Sequence, residues 1–181
     1  NNMGEVSSEW FGRTVIKSDH RFSYEEIQEV IETEGSQISD NTSLTNEAYS
    51  IPNNTFNAVM HLNNIAKVLR NNRFDKGALS FDRVEVGFIL NNKNEPERIK
   101  LKESKEANKL VEEFMLLANK KVAEFINKKR PEKSFVYRVH DEPDIEKIKN
   151  LKDLVHTFGH KLDTSNKKLT KSLNNLLYSI K

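Results

Sequence analysis

KLVEEFMLLANKKVAEFIN, residues Lys109–Asn127, repeats its apolar side chains at helical spacing over a longer run than any other part of the chain. Leu110, Phe114, Leu117, Val122 and Phe125 return at steps of three, four or five, and Val111, Met115 and Ala118 widen the same stripe. So wide a stripe needs apolar partners on more than one side, which predicts a central helix with the remaining segments packed around it. Two acids, Glu112 and Glu113, sit in its second turn beside the stripe.

The chain around this helix has 181 residues, enough for one sizeable core and so for one domain or a large piece of one. Cysteine is absent, which excludes disulfide and thiol chemistry and fits a reducing, cytoplasmic setting. No apolar run approaches the roughly 20 residues that span a bilayer, and no basic-then-apolar leader opens the chain, so neither a membrane nor secretion is expected. Net charge is +2 but unevenly spread: residues 1 to 50 hold three Arg or Lys against ten Asp or Glu, and residues 120 to 181 hold fifteen against eight. The basic final third can meet an anion such as a phosphate backbone, or can simply show a solvated Lys-rich face.

On the N-terminal side, Asn2 and Gly4 read as a turn, and Glu9–Ser18, EWFGRTVIKS, alternates like a strand. HRFSYEEIQEVIETEG then carries a full helix-start signature. Ser23 is the N-cap, Glu26 completes a capping box, Phe22 and Ile27 form a staple, and Gly35 is the expected stop. Ile27, Val30 and Ile31 make the buried edge, and Tyr24 takes the first helical position. Ser36 to Asn54 is polar and reads as a loop with a short helical piece near Leu44 to Tyr49. From Thr55 to about Arg73 the helical period resumes, on Phe56, Val59, Met60, Asn63, Ala66 and Leu69.

Residues 78 to 102 predict a β-hairpin, with Val84, Val86, Phe88 and Leu90 on one side and Ile99 and Leu101 opposite. Beyond the central helix, a basic turn over Lys128 to Lys133 leads into SFVYRVH, Ser134–His140, which reads as a further strand. Pro143 opens a helix with Ile145, Ile148, Leu151, Leu154, Val155 and Phe158 inward and Gly159 at its end. A last helix, from about Asn166 to Ile180, carries Leu169, Leu173, Leu176 and Leu177. The fold class expected is α+β, a small antiparallel sheet from segments 9 to 18, 78 to 102 and 134 to 140 with about five surrounding helices. The turn with no strand before it, and the last helix running to Lys181 without a stop, both read as cuts in a larger domain.

No residue set here reads as catalytic. His156 and His160 are four apart, but Gly159 lies between them, no Glu follows His156, and no third ligand is evident, so no metal site is expected. The six glycines are scattered singly and form no phosphate loop, and there is no nucleophile elbow and no aspartate cluster. What remains suits a planar, hydroxylated ligand. Phe81, in GALSF, is out of phase with the buried side of its strand and can stack on a base or close a core edge. Tyr24 offers a second ring or packs on its own helix, and Glu112 can accept from a ribose 2′-hydroxyl or pair with a Lys.

Taken together, WFGRTVIKSDHRFSYEEIQEVIE, GALSFDRVE, KLVEEFMLLANKKVAEFI and YRVHDEPDIEKIKNL resemble, in this order and spacing, the exoribonucleases typified by RNase II and RNase R, bacterial RNase R in particular. The resemblance covers nearly the whole chain and implies an internal fragment, residues 1 to 181 being the central part of the RNB catalytic domain. Such enzymes hydrolyse single-stranded RNA from its 3′ end to nucleoside 5′-monophosphates with Mg2+, and the resemblance implies a monomeric parent. Their metal-holding aspartates and the arginine-bearing C-terminal motif are not in this sequence, so the fragment alone is expected to be inactive and to bind no metal. By motif, Phe81 matches the family's base-stacking phenylalanine, Tyr24 a tyrosine beside the terminal nucleotides, and Glu112 a glutamate at the ribose end of the substrate. Glu113, Asn119, Arg138 and His140 lie in matching motifs without an assigned role. The competing reading is a non-enzymatic helical interaction module whose basic final third docks an acidic partner.

Overall fold

Ser23 sits in extended backbone at φ −79°, ψ 168°, and its side chain accepts from the Glu26 N–H while the Glu26 carboxylate accepts from the Ser23 N–H. Two donors that a helix start leaves without partners are thereby satisfied, and α1 runs over Tyr24–Thr33. Its stop falls one residue earlier than the glycine rule predicts. Glu34 takes the left-handed conformation at φ 49°, and Gly35 follows where a Cβ would lie 3.3 Å from Thr33 Oγ1. The computed structural model describes residues 1–79, 85–139, 141–165 and 169–180. Phe81, Val84, His140, Asn166 and Lys181 lie outside them.

The chain forms two compact units, Asn1–Arg70 with Asp82–Asn119, and Asn71–Phe81 with Lys120–Lys181. In the first, α1 is followed by a two-stranded antiparallel pair, β1 (Gln37–Ile38) and β2 (Tyr49–Ser50), in place of the expected helical piece near 44 to 49. Ile38 and Ile51 are buried beside this pair, which a surface helical turn over 44 to 49 would not achieve. Helix α2 covers Asn53–Asp75 and α3 covers Glu106–Lys129, both bracketing the ranges read from the period. The first unit's core gathers Val30, Ile31, Ile38, Ile51, Val59 and Ala107, with Phe56 and Leu110 packed against it.

Polar contacts between elements set the start of α3. Gln28, buried on α1, accepts from the Ala107 N–H at 2.9 Å, so a side chain 79 residues away caps the helix. Arg70, on α2, grips Glu106 through two hydrogen bonds of 3.3 and 2.9 Å. Burial pushes the Glu106 carboxyl up, but the Arg70 guanidinium outweighs it and holds the carboxyl below its ordinary value. The stripe on α3 is less covered than its period predicts. Ala107 and Glu113 are buried, Leu110, Phe114 and Leu117 are half-buried, and Val111 and Met115 are exposed. Six buried residues present too little apolar surface to cover a helix of 24 residues.

The predicted hairpin is present as β3 (Glu85–Leu90) paired with β4 (Pro96–Lys102). Asn91 closes it by accepting from the Lys93 and Glu95 N–H groups, with Asn94 left-handed at φ 61°. The other two expected strands are not formed: 9 to 18 and the described residues 134 to 139 carry no strand pairing. Trp10, Val15, Ile16, Val136 and Val139 are all exposed. Alternation specifies a face but supplies no partner, and extended backbone without one leaves its hydrogen bonds to water. The α+β class stands; the described residues hold five helices, the central one included, and two two-stranded sheets rather than one sheet.

In the second unit, Asp144 caps α4 (Ile145–Thr157), and α5 spans Leu169–Ile180. Val155, Leu162 and Leu176 form its core with Leu173 alongside. Asn174 donates to the Ala78 carbonyl at 2.8 Å, and Gly77, at φ 96°, lets Thr170 approach to 3.0 Å of where a Cβ would stand. The inward set read for α4 reduces largely to Val155, since Ile145, Leu154 and Phe158 are exposed. Three buried side chains cannot cover a full helical stripe.

Candidate nucleic-acid interface

The first unit contains a cleft of about 930 Å³, walled by the segment leading into α1, by the first turns of α2 and by the start of α3. Its lining mixes apolar side chains, Ile27, Val59 and Leu110 among them, with the polar His20, Ser23 and Asn54. A mostly apolar lining with a few polar groups accepts a planar body and orients its edge. Tyr24 lines this cleft and is 50% exposed. The capping box fixes it there, because the residue after an N-cap starts the helix and projects at its mouth.

His20 leads into a buried network. Tyr49 donates its hydroxyl proton to Glu26 at 3.0 Å, and Glu26 also accepts from the N–H groups of Leu44 and Ser23. Burial pushes the Glu26 carboxyl up, but these donors outweigh it and hold it below the ordinary carboxylate value. Burial and the neighbouring Glu26 charge push the Tyr49 phenol up to about 12. With its proton committed to Glu26, the Tyr49 oxygen accepts from His20 Nε2 at 3.1 Å. In the tautomer that donates to Tyr49 the proton is on Nε2, and Nδ1 is the acceptor. Phe22 packs on the imidazole at a centroid separation of 4.1 Å.

The residues predicted from sequence are not all gathered at this cleft. Val111 lines it, whereas Glu112, the next residue on α3, is half-buried and outside its lining. Glu113 is 4% exposed, so of the two acids the second faces the interior. Phe81 is outside the described residues. Asn119 and Arg138 are exposed, and His140 is not described. His20 and Tyr49 were missed by sequence reasoning. They are 29 residues apart, and Tyr49 lies in the stretch read as polar loop. Only the capping-box half of their network, Ser23 and Glu26, had a local signal.

His156 and His160 do not form a paired face. Helix α4 ends at Thr157, Gly159 turns left-handed at φ 83°, and Ser179 Oγ is 3.3 Å from His160 Nδ1. Among the described residues, no group of three or more His, Cys, Asp or Glu could hold a metal ion, and no helix is long and apolar enough to cross a membrane.

The model of the RNB domain family matches residues 1–181, and the chain belongs to that family. A DIS3-like exonuclease 2 of Xenopus tropicalis is 36% identical over 174 residues, covering 95% of this chain and 21% of that protein. Ribonuclease R of Escherichia coli is 34% identical over 119 residues, 66% of this chain and 14% of that protein. The apo form of Mycoplasma genitalium RNase R shares the fold, with a TM-score of 0.77 at 18% identity over 98% of this chain and 26% of that one. The chain spans about a fifth of the length of the curated relatives it matches.

Proposed function

We propose that this chain is a segment of an exoribonuclease that shortens single-stranded RNA from its 3′ end and releases nucleoside 5′-monophosphates, and that the segment forms one wall of the RNA channel. The observation that carries this reading is the RNB match over residues 1–181, to which relatives named exonuclease and ribonuclease add the reaction class. Tyr24 and Phe81 stack on bases in this reading, and Glu112 accepts from a ribose hydroxyl, the group that separates RNA from DNA. The cleft supports the part played by Tyr24: this half-exposed residue lines it together with the apolar Ile27, Val59 and Leu110 and the imidazole of His20.

Hydrolysis in the full-length enzyme would use Mg2+, but the described residues do not fit a metal centre. In this reading the segment contributes to holding RNA, and other parts of the full-length enzyme supply the cutting groups. A cytoplasmic, monomeric enzyme completes the reading, its location supported by the cysteine-free sequence.

Titrating the chain against a labelled oligouridylate with a free 3′-hydroxyl tests the site. Tyr24→Ala and Phe81→Ala should each weaken binding about 5- to 150-fold, the range for loss of one base-stacking contact. Glu112→Ala should narrow the preference for RNA over the matching DNA. Parental affinity in all three variants would reject the assignment. With Mg2+ added, the chain should release no nucleoside monophosphate, and release would show that the cutting groups are within it.

A further inference from the structure

The basic turn that follows α3 is not absorbed by the cleft. Over residues 128 to 138, KKRPEKSFVYR, five cations stand against the single acid Glu132. Every residue of this run is exposed, and the backbone folds tightly where Lys133 N–H donates to the Arg130 carbonyl at 2.9 Å. Lys128 and Lys129 have a structural reason to be there, since cations at a helix C-terminus complement its dipole. Arg130 closes the helix, its N–H donating to the Ile126 carbonyl at 2.9 Å, and shares that reason, whereas Lys133 and Arg138 lie beyond the last turn. The nearest acid on α3, Glu124, is engaged by Lys120 and Lys121 at 3.9 and 3.0 Å, and Lys128 adds its charge there, which leaves Arg130, Lys133 and Arg138 outside that cluster.

Two rings follow this charge directly. Phe135 and Tyr137 meet edge to face, with centroids 5.2 Å apart and planes at 68°, and remain 41% and 48% exposed. In extended chain, residues two apart share a side, so both rings project together beside the turn. At most about 3.5 Å per residue puts Arg130 within roughly 18 Å of Phe135, a span of a few nucleotides. Cations that track a backbone beside rings that stack on bases form the sequence-tolerant surface of single-strand binders. An acidic protein partner would use the cations but would leave the rings without a role.

We infer that the basic turn and the Phe135–Tyr137 pair form a second contact surface for single-stranded RNA, the cations meeting phosphates and the rings meeting bases. This rests on the RNA-channel reading but on different residues. In a salt titration with the same labelled oligouridylate, Lys128→Gln, Lys129→Gln, Arg130→Gln and Lys133→Gln combined should reduce the slope of log affinity against log salt. About 0.7 is lost per phosphate contact removed, so a reduction of about 2 to 3 is expected. Phe135→Leu with Tyr137→Leu keeps apolar bulk without ring faces. It should weaken binding at least about 5-fold at one salt concentration and leave the slope unchanged. Parental behaviour in either variant overturns the inference, as does competition by polyglutamate on equal terms with RNA. If Tyr24→Ala alone weakens binding, the channel reading survives and this surface falls. If only the turn and ring variants do, this surface stands and the Tyr24 assignment falls.

Discussion

Glu26 performs two tasks with one carboxylate, capping α1 through the Ser23 N–H and anchoring Tyr49, which in turn orients His20. Tyr49→Phe removes the hydroxyl from the middle of this chain, and a cost of about 1 to 3 kcal/mol is expected from the loss of buried hydrogen bonds. The pH dependence has a definite sign. Tyr49 keeps its proton in the folded state up to about 12, while the unfolded phenol releases it near 10. Stability should therefore be full below pH 10 and fall between 10 and 12, and urea denaturation of Tyr49→Phe should lack the share of that fall due to this phenol. Glu26 and Glu106 act at the other end: both are held below the ordinary carboxylate value, so their contribution is present above pH 4.5 and is lost as pH falls below it.

Among the elements, the long helices and the β3–β4 hairpin were legible, while the strands read at 9 to 18 and 134 to 139 and the helical piece near 44 to 49 were not formed. Helix α1 carries its capping box within four residues, and α2 and α3 carry their period along their own length, so nearest-neighbour physics suffices. Segments 9 to 18 and 134 to 139 carry an equally plain alternation, yet neither is paired, because a strand needs another strand and the sequence names none. The start of α3 is intermediate. The period placed its start at Lys109 rather than the observed Glu106, because its cap is Gln28 from another helix. Gln28→Ala should leave the Ala107 N–H buried without a partner, costing about 1 to 3 kcal/mol. Hydrogen exchange should quicken at Ala107, and unchanged exchange there would show that the cap is dispensable.

At the scale of the whole molecule, the two small cores found among the described residues predict that damage stays local. Leu176→Ala empties a site in a core of three buried residues and should cost about 2 to 5 kcal/mol in that unit. Exchange should then accelerate across α4 and α5 while the amides of α1 and β1 keep their protection, an outcome that native-state hydrogen exchange reads directly. Uniform acceleration would mean that the two units unfold as one.

The sequence by itself determined the long helices, the β3–β4 hairpin, the α+β class and the family, because capping, period, alternation and motif order are written in neighbouring residues. It also put Tyr24 at a helix mouth, which follows from Ser23 alone. Only the tertiary structure decided that Tyr24 shares a cleft with His20, that Tyr49 and Glu26 orient that histidine, and that Glu113 rather than Glu112 faces inward. Those facts depend on which distant segments meet, and adjacency across 23 or 29 residues is fixed by packing and leaves no periodic trace along the chain.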